Sequence, residues 1–443
     1  MDTLSLLRAG QLAGTRRLDL SCGLKEFPEE IFDLADSLEI LNLSGNALSS
    51  LPDDLNRLHK LRVIFCSDNQ FTHVPEVLGL CGQLSMIGFK ANQIRNLPAT
   101  ALNPKLRWLI LTDNALSTLP DELGACTHLQ KLMLSGNQLR DLPVSMQACV
   151  SLELLRIASN RFESLPNWLL KLPRLSWLAY AGNPFCEQHE AAALQRQTRH
   201  SIDWDSLSLQ HQLGEGASGE IYQAKWLRQG EERSVAAKLF KGELTSDGLP
   251  HSEMAACMSA GTHANLIGAH GEIVGHPMQR KGLLMSLVDP SYRNLAGPPS
   301  LESCTRDIYQ AGTQLSLTAV LGIAQGIAGA AAHLHAQGIL HGDLYAHNIL
   351  YNDAEHCLLG DFGAASFYPL NEGGSALALE QIEVRAFGCL IEELLDHCVD
   401  TERLPSKVPA LRSLQERCLQ TENALRPRFN EIQNELQSIA CGL

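Results

Sequence analysis

The chain has 443 residues, 45 % of them hydrophobic, and this length favours two domains over one. Its 35 Lys and Arg residues against 49 Asp and Glu residues give a formal charge of −14. No run of basic residues is present that would follow a phosphate backbone. Nucleic acid is therefore a poor candidate partner.

The N-terminal segment, positions 1–20, lacks a basic region followed by a long apolar core, so it does not predict a signal peptide. The 13 Cys residues include no C-x-x-C pair, which disfavours both a zinc cluster and a disulfide framework. The most apolar window, 317–340, contains Gln and His side chains and predicts a buried helix rather than a membrane span. These features predict a cytoplasmic protein.

The first half of the chain repeats one template, seen in LEILNLSGNALSSLP (38–52) and in further copies up to position 166. An Asn recurs with a regular period, at Asn46, Asn69, Asn92, Asn114, Asn137, Asn160 and Asn183. This period, roughly 23 residues, matches the leucine-rich repeat L-x-x-L-x-L-x-x-N. Each copy predicts one short strand on a concave face, Leu side chains that fill the core, and a buried Asn that satisfies backbone groups.

The positions that the template leaves free on each strand are unusually apolar, and exposed apolar surface of this extent is typical of a protein contact. We therefore predict a protein partner on the concave face. The alternative is that this stripe packs against the rest of the same chain. The apolar stripe consists of Ile40, Val63, Phe65, Met86, Trp108, Ile110, Met133, Leu154 and Trp177.

The period stops after Cys186, which sets the predicted domains: a repeat solenoid over 1–186, a capping helix and linker over 187–206, and a second domain over 207–443. The second domain opens with LGEGASGEIYQAKW (213–226), in which Gly214, Gly216 and Gly219 form G-x-G-x-x-G. Dinucleotide-binding folds share this triplet, but here strands are predicted on both sides. The loop is therefore predicted to be a strand-turn-strand flap whose backbone approaches phosphates.

A single charge interrupts the next apolar strand, SVAAKLF (234–240). A buried Lys is costly unless it is paired, so Lys238 is predicted to meet phosphate and the carboxylate of Glu253. The alternative is that Lys238 extends to solvent from a strand edge.

HGDLYAHNIL (341–350), CLLGDFGAASF (357–367), VRAFGCLIEELL (384–395) and RCLQTENALRPRF (417–429) follow in order. Together with the Gly-rich loop and Lys238, they resemble the protein kinase family from about Leu207 onward. The resemblance implies a bilobal kinase-like domain that follows an α/β repeat solenoid, so the predicted fold class is α/β and α+β. It also implies ATP and Mg²⁺ as cofactors. The repeats with a closing Leu-Pro resemble those of intracellular leucine-rich proteins.

The resemblance also assigns roles to residues. Asp343 would orient the acceptor hydroxyl and take its proton, with Lys238 and Asn348 completing the catalytic set, while Asn348 and Asp361 would hold Mg²⁺. The alternative is that Asp343 or Asp361 only caps a turn. The nucleotide would contact Leu213, Gly214, Gly216, Gly219, Ile221, Ala236, Lys238, Glu253, Met285, Ser286, Val288 and Leu350, with Ser286 to Val288 as the hinge.

Three departures from the family pattern stand out. Gly342 replaces the Arg that commonly binds an activation-loop phosphate, which predicts a site independent of that phosphorylation. Tyr345 and His347 stand where kinases carry a cation near the γ-phosphate, so transfer is expected to be slow unless His347 is protonated. The segment 361–383 is short, and Glu380 is predicted to pair with Arg426.

These features predict an ATP-dependent serine/threonine protein kinase, not of the receptor type, with a repeat array for protein recognition and a role in signal transduction. One alternative is a scaffold of the pseudokinase type, whose repeats bind a partner without phosphoryl transfer. Another is a small-molecule phosphotransferase, because H-G-D-L also resembles the aminoglycoside phosphotransferase loop. Delivery into another cell as an effector is a further possibility that the sequence leaves open.

Overall fold

The computed structural model describes residues 2–196, 201–216, 218–242, 244–245, 247–370, 373–399 and 407–441. The chain divides into two compact units, Met1–Arg174 and Leu175–Leu443. This division lies before the predicted end of the solenoid at position 186, because the last partial repeat packs within the second unit.

The first unit is built from the predicted repeats. It begins with helix α1 (Thr3–Arg8), and its strands are parallel and follow one another in chain order. The strands are β1 (Arg17–Asp19), β2 (Ile40–Asn42), β3 (Val63–Phe65), β4 (Met86–Gly88), β5 (Trp108–Ile110), β6 (Lys131–Met133) and β7 (Leu154–Arg156). The returning segments form 3₁₀ turns at Glu29–Leu34, Leu55–Arg57, Glu76–Leu80, Ala99–Ala101, Asp121–Ala125, Val144–Ala148 and Leu169–Lys171.

The repeated Asn residues hold each turn after the strand, as predicted. Asn69 shows the pattern: its Oδ1 accepts from the Leu48 amide at 2.9 Å, and its Nδ2 donates to the Leu43 carbonyl at 2.9 Å and to the Cys66 carbonyl at 3.2 Å. The amide side chain replaces water for backbone groups that the strand geometry leaves without partners. Asn92, Asn114, Asn137 and Asn160 make the equivalent bonds.

The apolar stripe is less accessible than the sequence predicts. The strand register places the third template positions side by side, from Ile40 through Val63 to Met86, so neighbouring side chains cover one another. Lys131 adds to this cover with its ammonium 4.3 Å from the Trp108 ring centre. Ile40, Phe65, Trp108 and Ile110 are half-buried, whereas Val63, Met86, Met133, Leu154 and Trp177 are buried.

The second unit begins with the last partial repeat, which contributes β8 (Trp177–Ala179) and then α2 (Pro184–Arg196). A six-stranded sheet follows, in the order β10-β11-β12-β14-β13-β9. Its strands are β9 (Ser201–Asp203), β10 (Leu207–Glu215), β11 (Gly219–Arg228), β12 (Glu231–Phe240), β13 (Ala269–Val274) and β14 (Gly282–Ser286), with α3 (Pro250–Ser259) between β12 and β13. Its core contains Trp226, Val235, Leu239 and Ile273.

The remainder of the second unit is mainly helical. Its helices are α4 (Leu317–Ala336), α5 (Gly373–Asp396), α6 (Lys407–Cys418) and α7 (Phe429–Cys441). The short strands are β15 (Arg293–Asn294), β16 (Ile339–Leu340), β17 (Ile349–Tyr351), β18 (Cys357–Leu359) and β19 (Ser366–Phe367). They form the sheets β15-β17-β18 and β16-β19.

Helix α4 is the predicted apolar helix. It is long and apolar enough to cross a membrane, but 67 % of its most apolar window is buried inside the protein. Ser316 caps its first turn by accepting from the Ala319 amide at 3.0 Å, and Gln325 donates to the Leu436 carbonyl of α7 at 3.2 Å. Burial against protein accounts for its composition, as for many core helices.

The segment between Asp361 and α5 is short, as the sequence indicates. Helix α5 starts at Gly373 and includes both the predicted buried stretch 384–395 and Glu380. The carboxylate of Glu380 accepts from the Tyr368 hydroxyl at 3.1 Å, while Arg426 donates to the carbonyls of Gln420 and Gln381. The Tyr368 contact was not predicted, and the pairing of Glu380 with Arg426 stays a prediction.

Candidate active site

The Gly-rich segment forms the predicted strand-turn-strand flap. Strands β10 and β11 pair antiparallel up to Glu215 and Glu220, and the Gly216 amide donates to the Gly219 carbonyl at 2.9 Å across the turn. At Gly219 a Cβ would lie 2.7 Å from the Leu239 carbonyl oxygen, so packing requires this glycine. A Cβ at Gly214 or Gly216 would meet nothing within 4 Å, which leaves room for a ligand above the turn.

Lys238 lies on the buried half of β12, where residues from Val235 to Phe240 are all buried. Its side chain is only 8 % exposed, and its ammonium donates to Oε1 of Glu253 on α3, whose side chain is 3 % exposed. The predicted pair is therefore present, and the alternative of a Lys extending to solvent is wrong.

Asp361 is the third member of this cluster. Its Oδ1 lies 3.9 Å from the Lys238 ammonium and accepts from the Gly363 amide at 3.2 Å. Its backbone has a φ of 52°, and its side chain is 53 % exposed. The carboxylate thus caps its own turn and also faces a buried cation from an accessible position.

The electrostatics of the pair keep the ammonium charged. Burial lowers the pKa of Lys238, but the carboxylates of Glu253 and Asp361 outweigh this effect, so the pKa lies above its ordinary value. Burial raises the pKa of Glu253 to about 7, with Lys238 acting in the opposite direction. Among the described residues, Oε2 of Glu253 has no hydrogen-bond partner.

Asp343 and Asn348 come together in the loop between β16 and β17. The side-chain amide of Asn348 donates to Oδ2 of Asp343 at 2.8 Å and to the Asp343 carbonyl at 2.9 Å. The Asp343 amide donates to Nδ1 of His341 at 3.3 Å, and the fully buried His341 ring contacts the Gly360 carbonyl at 2.9 Å. The loop that carries Asp343 is thereby attached to the residue before Asp361.

This loop is supported by Glu383, which the sequence analysis did not name, and by Trp177, which it placed in the apolar stripe. Glu383 on α5 is 1 % exposed and accepts from the Gly342 amide at 2.8 Å and from His335 at 2.7 Å. Trp177 donates from its indole nitrogen to the Leu344 carbonyl at 3.0 Å. Glu383 lies in a mostly apolar stretch, IEVRAFGCLI (382–391), and a charge there was a usable signal by the same argument that identified Lys238. Trp177 was predicted to contact a protein partner, with packing against the same chain as the alternative, and its contacts follow the alternative.

His347 has a fixed anionic partner. Its backbone amide and its Nδ1 each lie 2.8 Å from an oxygen of the buried Asp307 carboxylate. Burial disfavours the imidazolium, yet the hydrogen bond and charge of Asp307, with Asp343 and Asp361 beyond, raise the pKa of His347. The raised pKa favours the protonated form of His347, which is the condition that the sequence analysis set for offsetting the missing cation.

The residues predicted to contact adenine lie on both sides of the hinge. Ile221, Ala236 and Met285 lie on the neighbouring strands β11, β12 and β14, and Ala236 is directly opposite Met285. Leu350 lies on β17, in the three-stranded sheet. Leu213 and Gly214 lie on β10, and β14 ends at Ser286, so that Leu287 and Val288 begin the connection toward β15. The nucleotide contacts themselves stay predictions.

The donor chemistry fits Mg²⁺. Among the described residues no group of three or more His, Cys, Asp or Glu side chains is arranged to hold a metal ion. Mg²⁺ needs only one or two protein ligands when phosphates supply the rest. The amide nitrogen of Asn348 donates to Asp343, which leaves the amide oxygen of Asn348 for a cation. Asp361 offers an accessible carboxylate.

A buried Lys–Glu pair beside an accessible Asp, next to an Asp–Asn loop, is the arrangement found in phosphoryl-transfer sites of the protein kinase class. Residues 207–376 match a family model described as protein tyrosine and serine/threonine kinase. Residues 37–58 match one described as leucine rich repeat. The chain contains a leucine-rich repeat region followed by a protein kinase domain, and such a domain implies the use of ATP.

Several curated relatives are similar to this chain. The serine/threonine-protein kinase-transforming protein mos of Moloney murine sarcoma virus (strain ts110) is 28 % identical over 186 residues, which cover 40 % of this chain and 49 % of the relative. Fibroblast growth factor receptor 1 of Pleurodeles waltl is 26 % identical over 208 residues, covering 44 % and 25 %. Tyrosine-protein kinase Abl of Drosophila melanogaster is 27 % identical over 268 residues, covering 52 % and 16 %. The chain thus spans about half or less of the length of these relatives.

Proposed function

We propose that this chain is an ATP-dependent protein kinase that transfers the γ-phosphate to Ser or Thr hydroxyls. The observation that carries the proposal is the buried ion pair between Lys238 and Glu253 beside the accessible Asp361. Burying a charge pair is costly, and a hydrophobic pair of similar volume often serves stability equally well. A fixed cation held next to an accessible carboxylate has a direct use in binding a triphosphate.

Each residue then has a defined task. The Lys238 ammonium binds phosphate oxygens and is oriented by Glu253. Asp343 is aligned by the Asn348 amide and accepts the proton of the acceptor hydroxyl as its oxygen bonds to the γ-phosphorus and the bond from that phosphorus to ADP, the leaving group, breaks. Asn348 and Asp361 would hold Mg²⁺, which would neutralise charge on the phosphates. His347 supplies positive charge near the position where Tyr345 replaces the usual cation.

The choice of Ser or Thr over Tyr as the acceptor is supported by the mos relatives, which are serine/threonine kinases by name. Two other relatives are tyrosine kinases or receptors by name, so acceptor preference is a separate measurement.

A non-receptor, cytoplasmic setting is part of the same proposal. It is supported by free thiols such as Cys81 and Cys126, because disulfides are rare in cytosolic proteins.

The repeat face is proposed to bind a protein partner of signalling type through its half-buried apolar residues, Ile40, Phe65, Trp108 and Ile110. Trp108 is the natural anchor, because aromatic residues dominate such contacts. Trp108→Asp is expected to weaken binding of any partner identified for the intact chain by about 2 kcal/mol or more. Titration calorimetry with that partner measures this, and an unchanged affinity would exclude this face.

The test of the proposed activity is transfer of labelled γ-phosphate from ATP with Mg²⁺, to the chain itself and to a basic protein substrate. Lys238→Met is expected to lower transfer by about 10²–10³-fold, because one preorganised charge contact contributes on that order. Without the ammonium the Glu253 carboxyl takes up a proton, which limits the loss of folding stability.

Lys225→Met on β11 is the matched control, since Lys225 is exposed and pairs with Glu232 on the sheet surface. It is expected to leave transfer within about twofold of the intact chain. If the intact chain binds ATP but transfers nothing, the protein is a scaffold. Transfer to small hydroxyl compounds alone would favour the small-molecule phosphotransferase.

A further inference from the structure

The last partial repeat behaves differently from the complete repeats. Trp177 occupies the same template position as Trp108, yet Trp177 is 1 % exposed whereas Trp108 is half-buried. Trp177 belongs to the same compact unit as the kinase domain, and its contacts with Leu344 and Tyr345 lie within that unit. The segment Leu175–Tyr180 thus continues the repeat sequence but packs as part of the candidate active site.

Trp177 contacts the catalytic loop in two ways. Its ring stacks on the Tyr345 ring, with the ring centres 4.1 Å apart and the planes 8° from parallel. Its indole nitrogen donates to the Leu344 carbonyl at 3.0 Å. The hydrogen bond fixes the backbone at Leu344, directly after Asp343, and the stack fixes the side chain of Tyr345.

Two further positions of the segment extend this contact. The Leu178 carbonyl oxygen lies 2.7 Å from the point where a Cβ at position 342 would stand, so the backbones approach closely at Gly342. The Tyr180 amide donates to Oγ of Ser366 at 3.1 Å, on the chain that follows Asp361. Backbone and ring contacts from one segment therefore lie on both sides of Asp343 and also reach the strand beyond Asp361.

We propose that Trp177 is a positioning residue for phosphoryl transfer: β8 holds the loop 342–345, and with it Asp343, in the geometry needed for proton acceptance. This inference rests on the proposed kinase function. Where the family commonly carries an Arg that binds an activation-loop phosphate, this chain has Gly342, and the Leu178 backbone takes the space. The last partial repeat therefore orders the catalytic loop in place of an activation-loop phosphate.

The experiment compares Trp177→Phe and Trp177→Ala with Trp168→Phe and Trp168→Ala in the intact chain, because Trp168 is half-buried before the turn Leu169–Lys171 and lies outside the apolar stripe. Hydrogen exchange of the peptide 341–350 reports loop order independently of activity, and exchange of 234–240 reports the integrity of β12. The rate constant kcat and the KM for ATP are measured alongside.

Trp177→Phe keeps a stacking ring but loses the indole donor, and is expected to speed exchange in 341–350 and to lower kcat by about fivefold, the worth of one hydrogen bond. Trp177→Ala is expected to speed exchange in 341–350 and to lower kcat, each by more than about tenfold. The KM for ATP is expected to stay within about twofold, because the Gly-rich flap and Lys238 are untouched. The Trp168 variants are expected to change neither readout.

Unchanged exchange in 341–350 in either Trp177 variant overturns the inference. If Trp177→Ala also loses protection in 234–240, the variant has unfolded and the folded Trp177→Phe variant decides. Absence of transfer in the intact chain would overturn the proposed function instead. In that case faster exchange of the loop in the Trp177 variants still supports a positioning contact, and unchanged exchange rules this contact out.

Discussion

Asp343→Asn is expected to lower phosphoryl transfer by about 10²–10⁴-fold while ATP binding stays within about twofold of that of the intact chain. The substitution keeps the size of the side chain and an oxygen that accepts from Asn348, so the loop geometry is preserved. It removes the carboxylate that takes the proton of the acceptor hydroxyl. Transfer of labelled γ-phosphate and a titration with a nucleotide analogue separate the two properties.

Asp353→Asn is the matched control, because this carboxylate lies in the neighbouring turn, is 86 % exposed and pairs with Arg293. It is expected to leave transfer unchanged within about twofold. Transfer by Asp343→Asn within tenfold of the intact chain would mean that another group accepts the proton, or that deprotonation contributes little to the rate. Loss of nucleotide binding in this variant would show that Asp343 acts in the nucleotide site itself.

Gly342→Arg, which restores the residue usual in the kinase family, is expected to destabilise this protein rather than to activate it. Gly342 has a φ of 73°, where a side chain costs about 1–3 kcal/mol. A Cβ there would also lie 2.6 Å from the Ala364 carbonyl oxygen and 2.7 Å from that of Leu178. Forced overlap typically costs about 1–3 kcal/mol more.

Gly342→Ala tests the same contact without the Arg charge. We expect its thermal midpoint to fall by about 5–15 °C, given roughly 2–4 °C per kcal/mol for a unit of this size. Gly230→Ala is the control for backbone conformation alone, because Gly230 has a φ of 85° but a Cβ there would meet nothing within 4 Å. Equal thermal midpoints for the two alanine variants would show that the contact of position 342 with Leu178 and Ala364 adds no cost in stability. A gain of activity in Gly342→Arg would contradict the assigned packing.

The repeat architecture was predictable because its interactions repeat along the sequence. Asn69 bonds to the backbone of Leu48 and Leu43, in the adjacent copy, so the sequence period is also the spatial period. The buried pair of Lys238 and Glu253 was predictable for another reason. A charge in an apolar strand requires a partner, and Glu253 stands in the helix-like segment that follows.

The solvent exposure of the stripe was not predictable in the same way. Alternation along one strand shows which face a side chain occupies, but not what covers that face. Val63 and Met86 are buried in the structure, and Trp177 is covered by Tyr345, which is distant in sequence. The contact between Glu380 and Tyr368 was unpredictable for a similar reason, since Tyr368 approaches from a short segment whose path the sequence did not define.

The sequence by itself determined the repeat period, the class of the second domain and the identity of its charged residues, because each depends on local pattern or on the high cost of burying an unpaired charge. Only the tertiary structure decided what surrounds Gly342. A side chain does not fit there because the backbone of Leu178 occupies that space, and a steric contact between positions so distant in sequence leaves no periodic or compositional trace.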